Sequence, residues 1–284
     1  MSRSAKSIWP APAKLNLFLH IIGRRDDGNH DLQTLFQILE WGDELEIETT
    51  AKGGVSRTHL IDGIPEHEDL SIRAGRLLKN ETGCSNGASI TLKKNIPLGS
   101  GLGGGSSDAA TVLHALNRLW GCGLSREDLL NLGLKLGADV PLFVQGHSAW
   151  AEGVGEKLRE FKAGDSWYVL VFPGIVVSTA KVFEDPGLKR DSKLIQVAEY
   201  SFSSTGNDCE AVVMRLFPVL QEIMQQLSAY GTPRLTGTGS CIFLPVNGKN
   251  EANRITMLLK SRYNVRAVRG VDHSPLIAKL SAFG

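Results

Sequence analysis

Pro97-Leu98-Gly99-Ser100-Gly101-Leu102-Gly103-Gly104-Gly105-Ser106-Ser107-Asp108-Ala109-Ala110 is the stretch on which the reading of this 284-residue chain turns. Its glycines at 99, 101, 103, 104 and 105 let the backbone aim successive N–H groups at one point without Cβ clashes. Downstream, Ala109, Val112, Leu113, Leu116 and Leu119 recur at helical spacing, with Ser106 or Ser107 as the expected cap. Upstream, residues 88–92 read as a short strand. A strand, a glycine loop and a helix start gather unpaired amides and the positive end of a helix dipole. That arrangement suits a nucleotide di- or triphosphate.

Three other readings of the loop compete. It is not a Walker A loop, because no Gly-Lys-Ser/Thr follows the glycines. Gly99, Gly101 and Gly104 do form G-x-G-x-x-G, but a dinucleotide site needs a second parallel strand soon after the helix. Here a second helix follows, capped by Ser125, carrying Leu129, Leu132 and Leu136, and closed by Gly137. A flexible linker would not sit between a strand and an amphipathic helix.

Working outward, residues 11–22 alternate through Leu15, Leu17 and Leu19, a strand with one buried face. A polar turn at 24–30 ends it, and 32–48 is again strand-rich. Residues 69–81 read as a helix stopped by Gly83. Asp139-Val140-Pro141 leads into the apolar run 142–144, with Pro141 favouring an extended Val140. Residues 156–166 are polar and mark a boundary. Beyond it come a buried strand at 167–172 and the longest amphipathic helix at 212–227. Gly231, Gly237 and Gly239 precede a strand at 241–246, then a helix at 252–259 and a last strand at 265–268. These elements predict an α+β protein of two lobes, 1–157 and 158–284.

Composition excludes several functions. With 31 basic and 30 acidic residues the net charge is +1, which gives no electrostatic reason for a nucleic-acid or membrane partner. Cys84, Cys122, Cys209 and Cys241 are scattered, without C-x-x-C or a nearby histidine at ligand spacing, so a zinc site is not expected. Charged residues interrupt every apolar run near the start, and the longest run breaks at Pro173-Gly174. A cytoplasmic protein, monomeric or weakly dimeric, is the default expectation.

The motifs now carry a resemblance. Pro97 to Ala110 resembles the phosphate-binding motif of the galactokinase, homoserine kinase, mevalonate kinase and phosphomevalonate kinase (GHMP) superfamily. Its G-L-G-G-G-S-S-D-A-A form is similar to that of one branch, which acts on 4-diphosphocytidyl-2-C-methyl-D-erythritol. Further matches are Pro12-Ala13-Lys14-Leu15-Asn16-Leu17, Leu32-Gln33-Thr34-Leu35-Phe36-Gln37, Gly137-Ala138-Asp139-Val140-Pro141, Asn207-Asp208 with Glu210, and Leu235-Thr236-Gly237-Thr238-Gly239-Ser240. The resemblance implies an N-terminal lobe like the second domain of ribosomal protein S5 and a ferredoxin-like C-terminal lobe. It also implies ATP- and Mg²⁺-dependent phosphorylation of the substrate's 2-hydroxyl in non-mevalonate isoprenoid precursor biosynthesis. Another small-alcohol kinase of the superfamily, or a nucleotide-binding protein without turnover, is the alternative.

By the resemblance, Asp139 is the base that takes the hydroxyl proton and Lys14 its electrostatic partner. The backbone from Gly99 to Ser107 holds ATP, with Pro97 and Leu98 at its entry, Ser106 or Ser107 toward phosphate or Mg²⁺, and Lys94 toward the nucleotide. Asp69-Leu70 falls where the family often has Asn-Leu beside adenine, and Asp lacks the amide donors of Asn. Asn16, His30, Phe36, Thr179 and Phe183 align with substrate positions, Phe36 and Phe183 offering flat faces to a pyrimidine. The family's D-G-Y-H turn is here Asp27-Gly28-Asn29-His30, so one stacking ring is missing.

Overall fold

A computed structural model describes residues 6–283. Ten strands among them form one sheet: β1 (Lys6–Arg24), β2 (His30–Thr50), β3 (Val55–Arg57), β4 (Gly87–Lys93), β5 (Ala149–Gly153), β6 (Lys157–Glu160), β7 (Ser166–Phe172), β8 (Arg234–Leu235), β9 (Ile242–Val246) and β10 (Asn264–Val271). The main order is β3-β4-β2-β10-β7-β9-β8; β1 pairs along β2, and β5 bridges β2 to β6. Helices α1 (Leu70–Thr82), α2 (Gly104–Leu119), α3 (Arg126–Leu136) and α4 (Val140–Gln145) pack near the first strands. The later helices are α5 (Thr179–Glu184), α6 (Glu210–Leu216), α7 (Pro218–Leu227), α8 (Lys249–Leu259) and α9 (Pro275–Ala282). No described helix is long and apolar enough to cross a membrane.

Three apolar clusters organise the molecule. One joins β2 and β4 to α1–α4 through Ile47, Ile90, Leu113 and Phe143. A second joins β7 and β9 to α6–α8 through Val169, Leu244, Leu220 and Ile255. The third, with Leu15, Phe18, Trp150, Tyr168 and Phe243, lies between them. That middle cluster corrects the expectation of one buried face for residues 11–22. Positions 11–19 are buried on both faces, because each half of the chain covers one side of β1. Register shifts at Pro12/Lys14 and Asn16/Phe18 interrupt the β1–β2 ladder, and such bulges re-aim the side chains beside them.

The long helix expected at 212–227 is two helices. Pro218 supplies no N–H and disfavours helical geometry at Phe217, which adopts φ −133° and ψ 77°. The longest helix is instead α2. Residue 157 begins β6, whose ladder is with β5, while β10 from the C-terminal half pairs with β2. α9 had no counterpart in the sequence reading. It folds back so that Leu276 joins the first cluster and Phe283 meets Trp9, ring centroids 4.8 Å apart.

Candidate active site

The glycine loop runs from β4 into α2 and lines a cavity of about 640 Å³. Gly99, Gly101 and Gly103 all have positive φ, at 64°, 77° and 73°. A Cβ on Gly101 would stand 2.2 Å from the Thr236 carbonyl, and one on Gly103 2.9 Å from the Phe143 ring. The loop is therefore pressed against both halves of the molecule, and only glycine fits. Ser240 N donates to Gly99 O at 3.2 Å and Cys241 N to Ser100 O at 3.1 Å, tying the loop to the C-terminal glycine motif.

α2 begins at Gly104 with Gly103 as its N-cap and no side-chain cap. This corrects the serine cap expected from sequence. A capping hydroxyl would occupy the amides that a phosphate needs; without one, they stay available at the positive end of a four-turn helix. Ser106 lines the cavity. Ser107 does not; it is fully buried and its Oγ has no hydrogen-bond partner.

β1 and α4 bring the proposed chemistry to this loop. Lys14 and Asn16 stand two residues apart on β1, and Lys14 Nζ donates to Asn16 Oδ1 at 2.6 Å. Asp139 is the N-cap of α4, but its carboxylate makes no capping bond. It faces Lys14 at 3.5 Å, with the lysine side chain 4% exposed and the aspartate 35%. Pro141 sits in the first helical turn, where a missing N–H costs nothing, so Val140 is helical and not extended. Asn16 is itself held: its Nδ2 donates to Thr34 Oγ1 at 2.9 Å, and its N–H to Thr236 Oγ1 at 2.9 Å.

Lys94 also lines the cavity, bonded to Asp43 and, at 2.9 Å, to Asp108. Burial disfavours its charge, but the two carboxylates outweigh burial and its pKa is raised. Asp108 is fully buried, and desolvation pushes its carboxyl well above the usual range, with Lys94 opposing. Asp43 anchors the loop's start, its Oδ1 accepting from Asn95 N at 2.5 Å and Ile96 N at 2.8 Å.

The other expected residues divide. Leu70 lines the cavity and Asp69 does not. Both Asp69 oxygens are committed: one accepts from Ser71 N at 2.9 Å, the other from Arg57 Nη1 at 2.9 Å in a buried ion pair. Asp69 caps α1, and neither oxygen is left for a nucleotide. Phe36 is only 2% exposed and its face carries the Lys14 ammonium, 5.2 Å from the ring centroid. It lines the cavity beside Lys14, with one face covered by that ammonium and not open to a base. His30 and Phe183 do form an aromatic pair, 5.1 Å apart and tilted by 39°. Thr179 lies opposite Thr238, hydroxyls 3.0 Å apart.

Asn29, Gly237 and Thr238, quoted above only within their motifs, line the wall, and Val154 with Gly155 at the β5–β6 turn escaped the sequence reading. Arg190 escaped too. Its Nε donates to His30 Nε2 at 3.0 Å, which places the proton of a neutral His30 on Nδ1. Burial, then Arg190, then Arg24, hold the His30 pKa below its ordinary value. Asn207, Asp208 and Glu210 are braces. Asn207 Nδ2 donates to the Gly237 carbonyl at 2.7 Å, Asp208 Oδ2 accepts from Ile21 N at 2.7 Å, and Glu210 Oε1 from Leu235 N at 2.7 Å.

A glycine loop opening a helix beside a lysine–aspartate pair, on this two-sided sheet, defines a kinase of the GHMP class. The GHMP kinases N terminal domain matches residues 69–147, and the GHMP kinases C terminal domain residues 187–263. A 4-diphosphocytidyl-2-C-methyl-D-erythritol kinase from Alkalilimnicola ehrlichii is 48% identical over 96% of this chain and 94% of its own length. One from Halorhodospira halophila is 46% identical over 95% of each chain. A crystal structure of 4-(cytidine 5'-diphospho)-2C-methyl-D-erythritol kinase superposes with a TM-score of 0.82 at 33% identity, covering 94% of this chain and 99% of the other. The chain belongs to the 4-diphosphocytidyl-2-C-methyl-D-erythritol kinase family.

Proposed function

We propose that this protein transfers the γ-phosphate of ATP to the 2-hydroxyl of 4-diphosphocytidyl-2-C-methyl-D-erythritol, a step of isoprenoid precursor biosynthesis. The reading is carried by one observation: the Lys14–Asp139 pair and the glycine loop open into the same cavity.

Phosphoryl transfer asks a protein mainly for positioning and charge stabilisation. The amides of the loop and of the first turn of α2 bind the β- and γ-phosphates. Asp139 accepts the proton of the attacking hydroxyl, and Lys14 offsets charge on the transferring group. Asn16 holds the ammonium in place. His30 presents Nδ1–H toward the polar edge of the cytosine, and Phe183 covers its face. Magnesium is a hard cation that takes oxygen ligands, usually delivered with the phosphates. The Ser106 hydroxyl on the cavity wall fits that preference. When bound, the ion neutralises phosphate charge.

Coupled ADP release with the cytidylylated methylerythritol tests the assignment, with mevalonate and homoserine as controls. Turnover only with the first substrate is expected; equal turnover of all three, or none, overturns it.

A further inference from the structure

Outside the cavity lining, three side chains with metal-binding atoms meet where the chain leaves α4. His147 follows the Gly146 cap of α4, Glu160 ends β6, and His273 lies between β10 and α9. None of them lines the phosphate cavity. One ligand atom from each lies within 4.8 Å of the other two. His147 Nδ1 and His273 Nδ1 are 3.2 Å apart. Two imidazole nitrogens bound to one tetrahedral zinc, each at ~2.0–2.1 Å, stand roughly 3.3–3.4 Å from each other. The rings therefore already hold the spacing of adjacent ligands.

Main-chain bonds set that spacing. His147 and His273 face each other in an antiparallel bridge. On either side of it, Ser148 N donates to Asp272 O at 2.9 Å and Ser274 N to Gly146 O at 2.9 Å. Phe161 N donates to Ser148 O at 3.0 Å, and Glu160 stands opposite Ala149, two residues beyond His147. Three separate segments are thus fixed against one another before any ion arrives. Glu160 and His273 are exposed, so an ion can enter from solvent.

We propose that His147, Glu160 and His273 form a divalent transition-metal site, two imidazoles and one carboxylate completed by water, suited to Zn²⁺. The ion joins the α4–β5 turn and β6 to the segment after β10, so it clamps the end of the chain onto the first half of the molecule. It binds the folded chain and stabilises it by mass action. It takes no part in phosphoryl transfer.

The test uses the full chain stripped with a chelator and titrated with ZnCl₂. One equivalent of zinc at micromolar concentration and a melting midpoint that climbs with zinc are expected. Cobalt(II) in its place should show the intense visible absorption of tetrahedral coordination. His147→Gln and His273→Gln should each weaken zinc binding by at least about 10–100-fold, the penalty seen even for losing an outer-shell partner. His273→Gln, exposed at the surface, should melt like wild type without metal, separating lost binding from lost folding. No saturable binding at micromolar zinc overturns the proposal, as does unchanged binding in the His147→Gln, His273→Gln double variant.

Discussion

Lys14 Nζ stands 3.5 Å from Asp139 Oδ2, joining the middle of β1 to the first cap of α4. The contact is asymmetric: the ammonium is buried against Phe36 and bonded to Asn16, while the carboxylate opens to the cavity. A lysine fixed from behind and an aspartate free in front is what proton removal beside a charged phosphoryl group requires.

Removing that carboxylate's basicity tests its role. Asp139→Asn should lower kcat by about 10²–10⁴-fold, the usual contribution of a positioned base. Nucleotide affinity, measured by equilibrium binding of an ATP analogue, should stay near wild type. A variant that keeps most of its turnover would remove Asp139 from the chemistry.

The loop makes a separate prediction. Gly101→Ala demands left-handed backbone from alanine, costing about 1–2 kcal/mol. It also drives a methyl against the Thr236 carbonyl, where the added Cβ would lie 2.2 Å away. The KM for ATP should rise and the melting midpoint fall together, because the same contact shapes the loop and joins the two halves.

The base pocket can be strengthened and weakened. Asn29 lines the cavity beside His30 and Phe183. Asn29→Tyr adds a stacking ring worth about 1 kcal/mol and should lower the KM for the cytidylylated substrate several-fold. Arg190→Gln should raise it, because His30 loses the donor that fixes its tautomer. It also removes a positive charge that depresses the His30 pKa, so the variant's KM should climb on acidification at a higher pH than wild type. Steady-state kinetics across pH distinguishes the two effects.

His114 gives a stability prediction with a definite sign. Burial holds its pKa below the ordinary 6.5, and its Nε2–H donates to the Val144 carbonyl at 2.9 Å. The unfolded chain takes up this proton first as pH falls. The resulting stability is complete above pH 6.5 and declines as pH drops toward the lower folded value. His114→Gln keeps a donor without the titration. Between about pH 7.5 and 5.5, wild type should lose more of its melting midpoint than the variant does.

Much of this was readable in the chain. Glycine spacing marked the phosphate loop because few residues tolerate positive φ, and that constraint is local. Helix α3 was marked by its Ser125 cap, and the structure adds a capping box with Asp128, again a contact within one turn. Asp69 shows the limit. The helix it opens was legible, but its partner Arg57 lies twelve residues upstream at the end of β3, and no local rule signals that its oxygens are already taken. Thr238 and the β5–β6 turn reach the cavity, and Arg190 reaches His30 on its wall, only because distant segments fold together.

The sequence by itself determined the local devices: the flexible phosphate loop, the helix starts and stops, and the residue types available for proton transfer. The tertiary structure alone decided which of them meet. Lys14 is polar on a strand buried on both faces, and only the packing of Phe36, the glycine loop and α4 around it turns it from a surface charge into one aimed at Asp139. Burial and electrostatic pairing depend on distances between segments far apart in sequence, and periodicity along one segment carries no record of them.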